Sequence, residues 1–155
     1  MPSGLVHTRT SIVLSAVVPI LLDVPLPDRI AFAVGSLLGI IISPDLDVDI
    51  GFYGLYVIRR YAGRFPAWLW RIYWLPYSKL VPHRAFFSHF PLFSTAGRIL
   101  YLCVPFLCLL ALFGANLGIV FSFLVDIRWL LAGLVVSDAV HAVMDVTQTA
   151  FRRKF

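Results

Sequence analysis

Residues 99–125 read ILYLCVPFLCLLALFGANLGIVFSFLV, 27 positions without a charged side chain. A helix of that length would reach about 40 Å, beyond the roughly 30 Å of a bilayer's hydrocarbon core. Gly114, Asn116 and Gly118 predict a break into a spanning helix and a returning turn or partial helix. Three further apolar runs flank this stretch. Thr10–Leu22 stops at Asp23, Pro25 and Pro27, and Ile30–Ile42 stops at Ser43-Pro44. Proline there fits a helix end, because it lacks an N–H and disfavours helix in the residue before it. The last run starts at Trp129, stays apolar to Ser137, then takes in Asp138, His141 and Asp145 before Arg152-Arg153-Lys154.

The composition agrees with this pattern. Of 155 residues, 60% are apolar and 14% charged, against roughly 45–50% and about 25% in soluble domains. With a mean hydropathy of +0.89, a chain this small has more apolar surface than a soluble core can hide. We expect one all-α membrane domain over 1–155, with about four transmembrane or membrane-embedded helices in two hairpins. They should cover about 10–24, 29–43, 97–115 and 127–150, with a cytoplasmic or interfacial segment over 44–96. The first two runs are short for a full crossing and need flanking residues, a thinned bilayer or partial insertion. No cleavable leader is expected, since Asp23 and Pro25 follow the first run without a small-residue cleavage site.

Charge sets the orientation. The net charge is +5, which in a soluble protein would suggest nucleic acid; here the positive-inside rule accounts for it, and no nucleic-acid partner is expected. If each run crosses, Arg9, Arg59, Arg60, Arg64, Arg71, Lys79, Arg84, Arg98, Arg152, Arg153 and Lys154 share one side, and only Arg29 and Arg128 the other. Both termini should therefore be cytoplasmic. Cys103 and Cys108 lie in one apolar run and read as packing residues. Residues 65–77, FPAWLWRIYWLPY, hold three of the four tryptophans. They suit the headgroup layer, either as a simple anchor or as a platform for a lipid headgroup.

The polar residues converge on this layout. His7 precedes the first helix, Asp45, Asp47 and Asp49 follow the second, His83 and His89 precede the third, and Asp138, His141 and Asp145 lie late in the fourth. All fall at cytoplasmic helix ends, where costly ionisable groups pair or bind ions. Spacings of three and four put Asp138, His141 and Asp145 on one helical face. If extended, Asp45, Asp47 and Asp49 would all point one way. Taken singly, each pattern is also what an interfacial histidine or a turn-forming aspartate would give. Together, mixed nitrogen and oxygen ligands suit zinc, or a one- or two-ion site of zinc, manganese or iron, better than magnesium or calcium.

These motifs carry a resemblance over nearly the whole chain. Met1-Pro2-Ser3-Gly4 with His7, Ser43-Pro44-Asp45-Leu46-Asp47, Trp74-Leu75-Pro76-Tyr77 leading to His83-Arg84-Ala85-Phe86-Phe87-Ser88-His89, and His141-Ala142-Val143-Met144-Asp145 resemble an uncharacterised bacterial family of metal-binding membrane proteins. The order is also similar to that of predicted membrane-bound metal-dependent hydrolases. The resemblance implies His7, Asp45, Asp47, His83, His89, His141 and Asp145 as metal ligands. Thr8 stands where the narrower family has an acidic residue, which removes an adjacent carboxylate partner for His7.

The function that follows is a metal-dependent hydrolase at the cytoplasmic membrane face, acting on a lipid-linked or phosphoester substrate. Asp47 is the candidate general base. Arg84 is the candidate phosphate holder, through its planar guanidinium. The alternative is a non-catalytic membrane subunit whose metal staples the helices. A metal transporter fits less well, because a transport route places polar residues near the midplane and toward both faces.

Overall fold

The computed structural model describes residues 4–47, 53–81, 90–114 and 117–152. The described residues are all-helical, with seven α-helices and one 3-10 turn and no strand among them. They are α1 (Gly4–Leu21), α2 (Leu26–Leu38), the 3-10 turn (Pro44–Asp47), α3 (Tyr53–Tyr61), α4 (Arg64–Leu80), α5 (Pro91–Leu112), α6 (Leu117–Asp126) and α7 (Arg128–Arg152).

Local chemistry sets most of these ends. Prolines 25 and 27 sit at the start of α2, where a missing N–H costs nothing and the fixed φ suits the first turn. Gly63, at φ 102°, turns the chain between α3 and α4, and Gly114, at φ 64°, follows the end of α5. Both conformations favour glycine, which has no Cβ to clash. Helix α1 begins at Gly4, so His7 lies inside it rather than before it. Helix α5 begins at Pro91, which draws Arg98 out of the basic loop and into an apolar helix.

Helix α2 packs along α7 at very close range. A Cβ on Gly35 would collide with the Leu130 carbonyl, one on Gly133 with the Phe32 carbonyl, and one on Gly39 with the Ser137 hydroxyl. The contact thus uses small residues four apart on both helices, Gly35 with Gly39 and Gly133 with Ser137. The Ser36 hydroxyl donates across it to the Gly133 carbonyl at 3.3 Å. The hydroxyls of Ser11 and Ser137 meet at 3.1 Å and bring α1 onto the same helix.

Within the segment expected at the interface, residues 53–61 and 64–80 form α3 and α4. Ala67, Trp74 and Tyr77 of α4 are buried, and Trp74 and Tyr77 join Ile42, Leu46 and Leu134 in the core. Tyr73 and Tyr101 exchange hydrogen bonds: each hydroxyl donates to the other's backbone carbonyl, at 3.0 and 2.6 Å. That pair fastens α4 to α5.

Two helical stretches, Pro91–Leu110 and Arg128–Thr147, are long and apolar enough to cross a membrane, and Leu5–Leu21 is apolar but shorter. Most of each stretch is not buried inside the molecule. Leu92, Phe93, Leu100, Val104, Phe106 and Leu109 of α5 are all exposed.

Candidate metal centre

His141 and Asp145 project from one face of α7, one turn apart, and α1 lays His7 against them. The His7 and His141 rings stack with centroids 3.8 Å apart and planes 14° from parallel. The Asp145 carboxylate reaches both: one oxygen lies 3.4 Å from His7 Nε2, the other 3.4 Å from His141 Nε2. Asp45 comes from the 3-10 turn after α2 and places Oδ1 3.5 Å from His141 Nε2. Thr8 supplies no acid, and the carboxylate beside His7 comes instead from the far end of the chain.

Over Pro44–Asp47 the 3-10 turn replaces the extended conformation considered for this stretch. The Leu46 N–H donates to the Ser43 carbonyl at 3.2 Å, and Leu46 is 1% exposed. Pro44 has the φ a helical turn needs, and burying Leu46 turns the chain inward. Residues two apart in such a turn do not share a side as they do in a strand. The backbone of Asp47 belongs to this turn, but its side chain lies outside the described residues, as do His83, Arg84, His89 and Asp49.

His7, His141 and Asp145 each offer a ligand atom within 4.8 Å of the others, close enough to share a divalent metal, and Asp45 stands beside His141. The separations of 3.4–3.5 Å are long for hydrogen bonds. Accordingly, His141 Nε2 is buried without a hydrogen-bond partner among the described residues. Leaving an imidazole nitrogen buried and unsatisfied is costly. Donors about 2.0–2.1 Å from a tetrahedral ion stand roughly 3.4 Å from one another, so a shared ion accounts for the spacing and for the missing partner of His141. Burial pushes the Asp45 carboxyl up, but attraction to the His141 imidazole outweighs it and holds the group below its ordinary value. A cavity of about 20 Å³ adjoins the cluster, lined by Thr8, Ser11, Ser43 and Tyr53 as well as His7, Asp45 and His141. That is room for about one water-sized species.

Asp138 shares the helical face of His141 and Asp145 but turns to a different neighbour. It accepts from Arg98 and Thr95 of α5, and Arg98 also donates to the Ser94 hydroxyl at 3.0 Å. Both charged side chains are 1% exposed. The sequence reading counted Arg98 among the exposed basic residues; it is instead half of a buried pair. Its signal was an arginine seven residues inside a proline-started helix, with an unmatched aspartate in the other apolar run.

No curated protein and no solved structure matches the chain. Residues 2–130 match the family described as "Uncharacterized metal-binding protein (DUF2227)". The match spans His7 and Asp45 and stops short of His141 and Asp145, the two donors that α7 adds. With most of its length matched, and with His7, His141 and Asp145 gathered where one ion could bind, the chain belongs to this family of uncharacterised metal-binding proteins.

Proposed function

We propose that the protein is a membrane-embedded, metal-dependent hydrolase working at the cytoplasmic face on a lipid-linked or phosphoester substrate. The observation that carries this reading is the grouping of His7, His141 and Asp145, three donors whose ligand atoms lie within 4.8 Å of one another. A structural tetrahedral site is normally closed by four protein ligands, whereas three leave a position for a water. Zinc suits a mixed set of imidazole and carboxylate donors best, with manganese or iron as other ions of the same chemistry. When bound, such an ion supplies Lewis-acid polarisation of a phosphoester and a water acidic enough to ionise near pH 7.

The chain's own residues supply the rest. His7, His141 and Asp145 would hold the ion, with Asp45, His83 and His89 assigned to the same centre from their motifs, enough donors for a second ion. Asp47 shares the 3-10 turn of Asp45 and is assigned as the base that takes a proton from the attacking water. Arg84 is assigned to a phosphate oxygen. The membrane half of the reading is supported by the two membrane-length helices, their exposed apolar residues and the small-residue contact between α2 and α7. Such contacts are characteristic of helices packed in lipid.

The test pairs Asp47→Asn with Asp145→Asn in purified, metal-loaded protein, assayed on phospholipids and isoprenoid phosphates. Asp47→Asn should keep the metal and lose about 10²–10⁴-fold in rate, whereas Asp145→Asn should lose metal. A closed coordination sphere with Asp47 as a ligand and no bound water would overturn the enzyme reading. It would favour a metal that staples α1, the 3-10 turn and α7.

A further inference from the structure

The outer face of α4 plays no part in the metal centre. Its inner face, Ala67, Trp74 and Tyr77, is committed to the core. Phe65, Trp68, Leu69 and Ile72 follow helical spacing along the other side, and all four are exposed. Immediately before them stand Arg59, Arg60 and Arg64, also exposed, with Tyr61 84% exposed among them. Tyr56, Arg59 and Arg60 line an open cleft of about 320 Å³.

A helix buried on one side should be polar on the other if that side meets water. This one is apolar there and bordered by guanidinium groups, the pattern of an element lying in the headgroup layer. The Tyr73–Tyr101 pair holds α4 by its other side against α5, which leaves the outer face uncovered. The charge identifies the partner. Three arginines with no acid between residues 50 and 125 complement anionic phosphate groups, not zwitterionic ones.

We propose that the α3–α4 hairpin is a docking surface for anionic phospholipid. Arg59, Arg60 and Arg64 hold the headgroup phosphates, and Phe65, Trp68, Leu69 and Ile72 enter the acyl boundary. This rests on the membrane half of the reading above and is independent of the metal and of any hydrolysis.

The test uses the full chain in phosphatidylcholine nanodiscs that carry brominated phosphatidylcholine or brominated phosphatidylglycerol at equal mole fraction. Subtracting the Trp68→Phe signal from wild type isolates the fluorescence of Trp68. We expect phosphatidylglycerol to quench it at least about twofold more strongly than phosphatidylcholine. Arg59→Gln/Arg60→Gln/Arg64→Gln should abolish the difference and keep wild-type metal content. Equal quenching by the two lipids in wild type overturns the anionic site, whether or not the triple variant folds. A Trp68 that neither lipid quenches places the face against water or another protein and overturns the proposal entirely. Failure of the membrane reading is seen separately, as release of the chain from native membranes by alkaline carbonate.

Discussion

His141 is flanked by two carboxylates and one stacked imidazole, and its Nε2 has no hydrogen bond among the described residues. Removing it takes away the donor that both Asp45 and Asp145 approach. His141→Ala and His7→Ala should each lose most bound metal, while Asp23→Ala and Asp126→Ala, distant in sequence from every donor, should retain it. Elemental analysis of the four purified variants decides this, and equal retention would leave the histidines as ordinary interfacial residues. Arg98 behaves differently, because its partner is a buried charge rather than an ion. Arg98→Leu strands Asp138 and should cost about 3–5 kcal/mol, whereas Arg98→Leu with Asp138→Leu should recover most of it. Denaturant titration in detergent measures both. His141 and Asp145 were legible in the sequence because a four-residue spacing fixes a shared helical face. His7 entered only through the membrane layout and the resemblance, since nothing local links position 7 to position 145. Arg98 was not legible as a buried residue, because its burial depends on where α5 begins.

Between elements, the α2–α7 contact couples packing to the metal centre. Gly35 and Gly133 let the two backbones touch, α2 leads through Ile42 to the turn bearing Asp45, and α7 bears His141 and Asp145. Gly35→Ala must therefore push the helices apart at the Leu130 carbonyl, shifting donors on two elements relative to each other. Its expected signature is a fall in both stability and metal content, with Gly63→Ala as the contrast. Gly63 has open space around it, so strain from its positive φ should lower stability without disturbing the donors. Thermal unfolding and metal analysis of the pair separate the two effects. This scale was partly readable from the chain. Apolar runs and prolines marked the helices, but the run from Ile99 hid the start of α5 at Pro91. The alternation of Asp45, Leu46, Asp47 and Val48 suggested a strand because period two was its only visible signal. Burial of Leu46 against Trp74, a contact made in tertiary structure, decides for the 3-10 turn instead.

At the scale of the whole molecule, the metal centre joins parts of the chain that are far apart in sequence. Residue 7 on α1, residue 45 after α2 and residues 141 and 145 on α7 meet at one point. Without an ion, two carboxylates and two imidazole nitrogens crowd together with long, poorly formed contacts. With one, each gains a ligand bond, and that binding energy is available only to the folded arrangement. A ligand held at a hundredfold above its dissociation constant stabilises by about 2.7 kcal/mol. For a chain of this size that corresponds to a midpoint shift of about 5–10 °C. Chelation with EDTA should therefore lower the unfolding midpoint of the purified protein by that order, and zinc should restore it more completely than magnesium, since imidazole ligands favour the softer ion. His141→Ala supplies the control, because a protein already short of its central donor has little left to lose and should show almost no response to EDTA. The comparison also bears on folding. A midpoint that responds to metal only weakly, with full occupancy by elemental analysis, would mean that the unfolded chain also holds the ion, since only binding confined to the folded state stabilises it. A large response would mean that the centre forms only on folding, with the ion helping to hold α1 to α7.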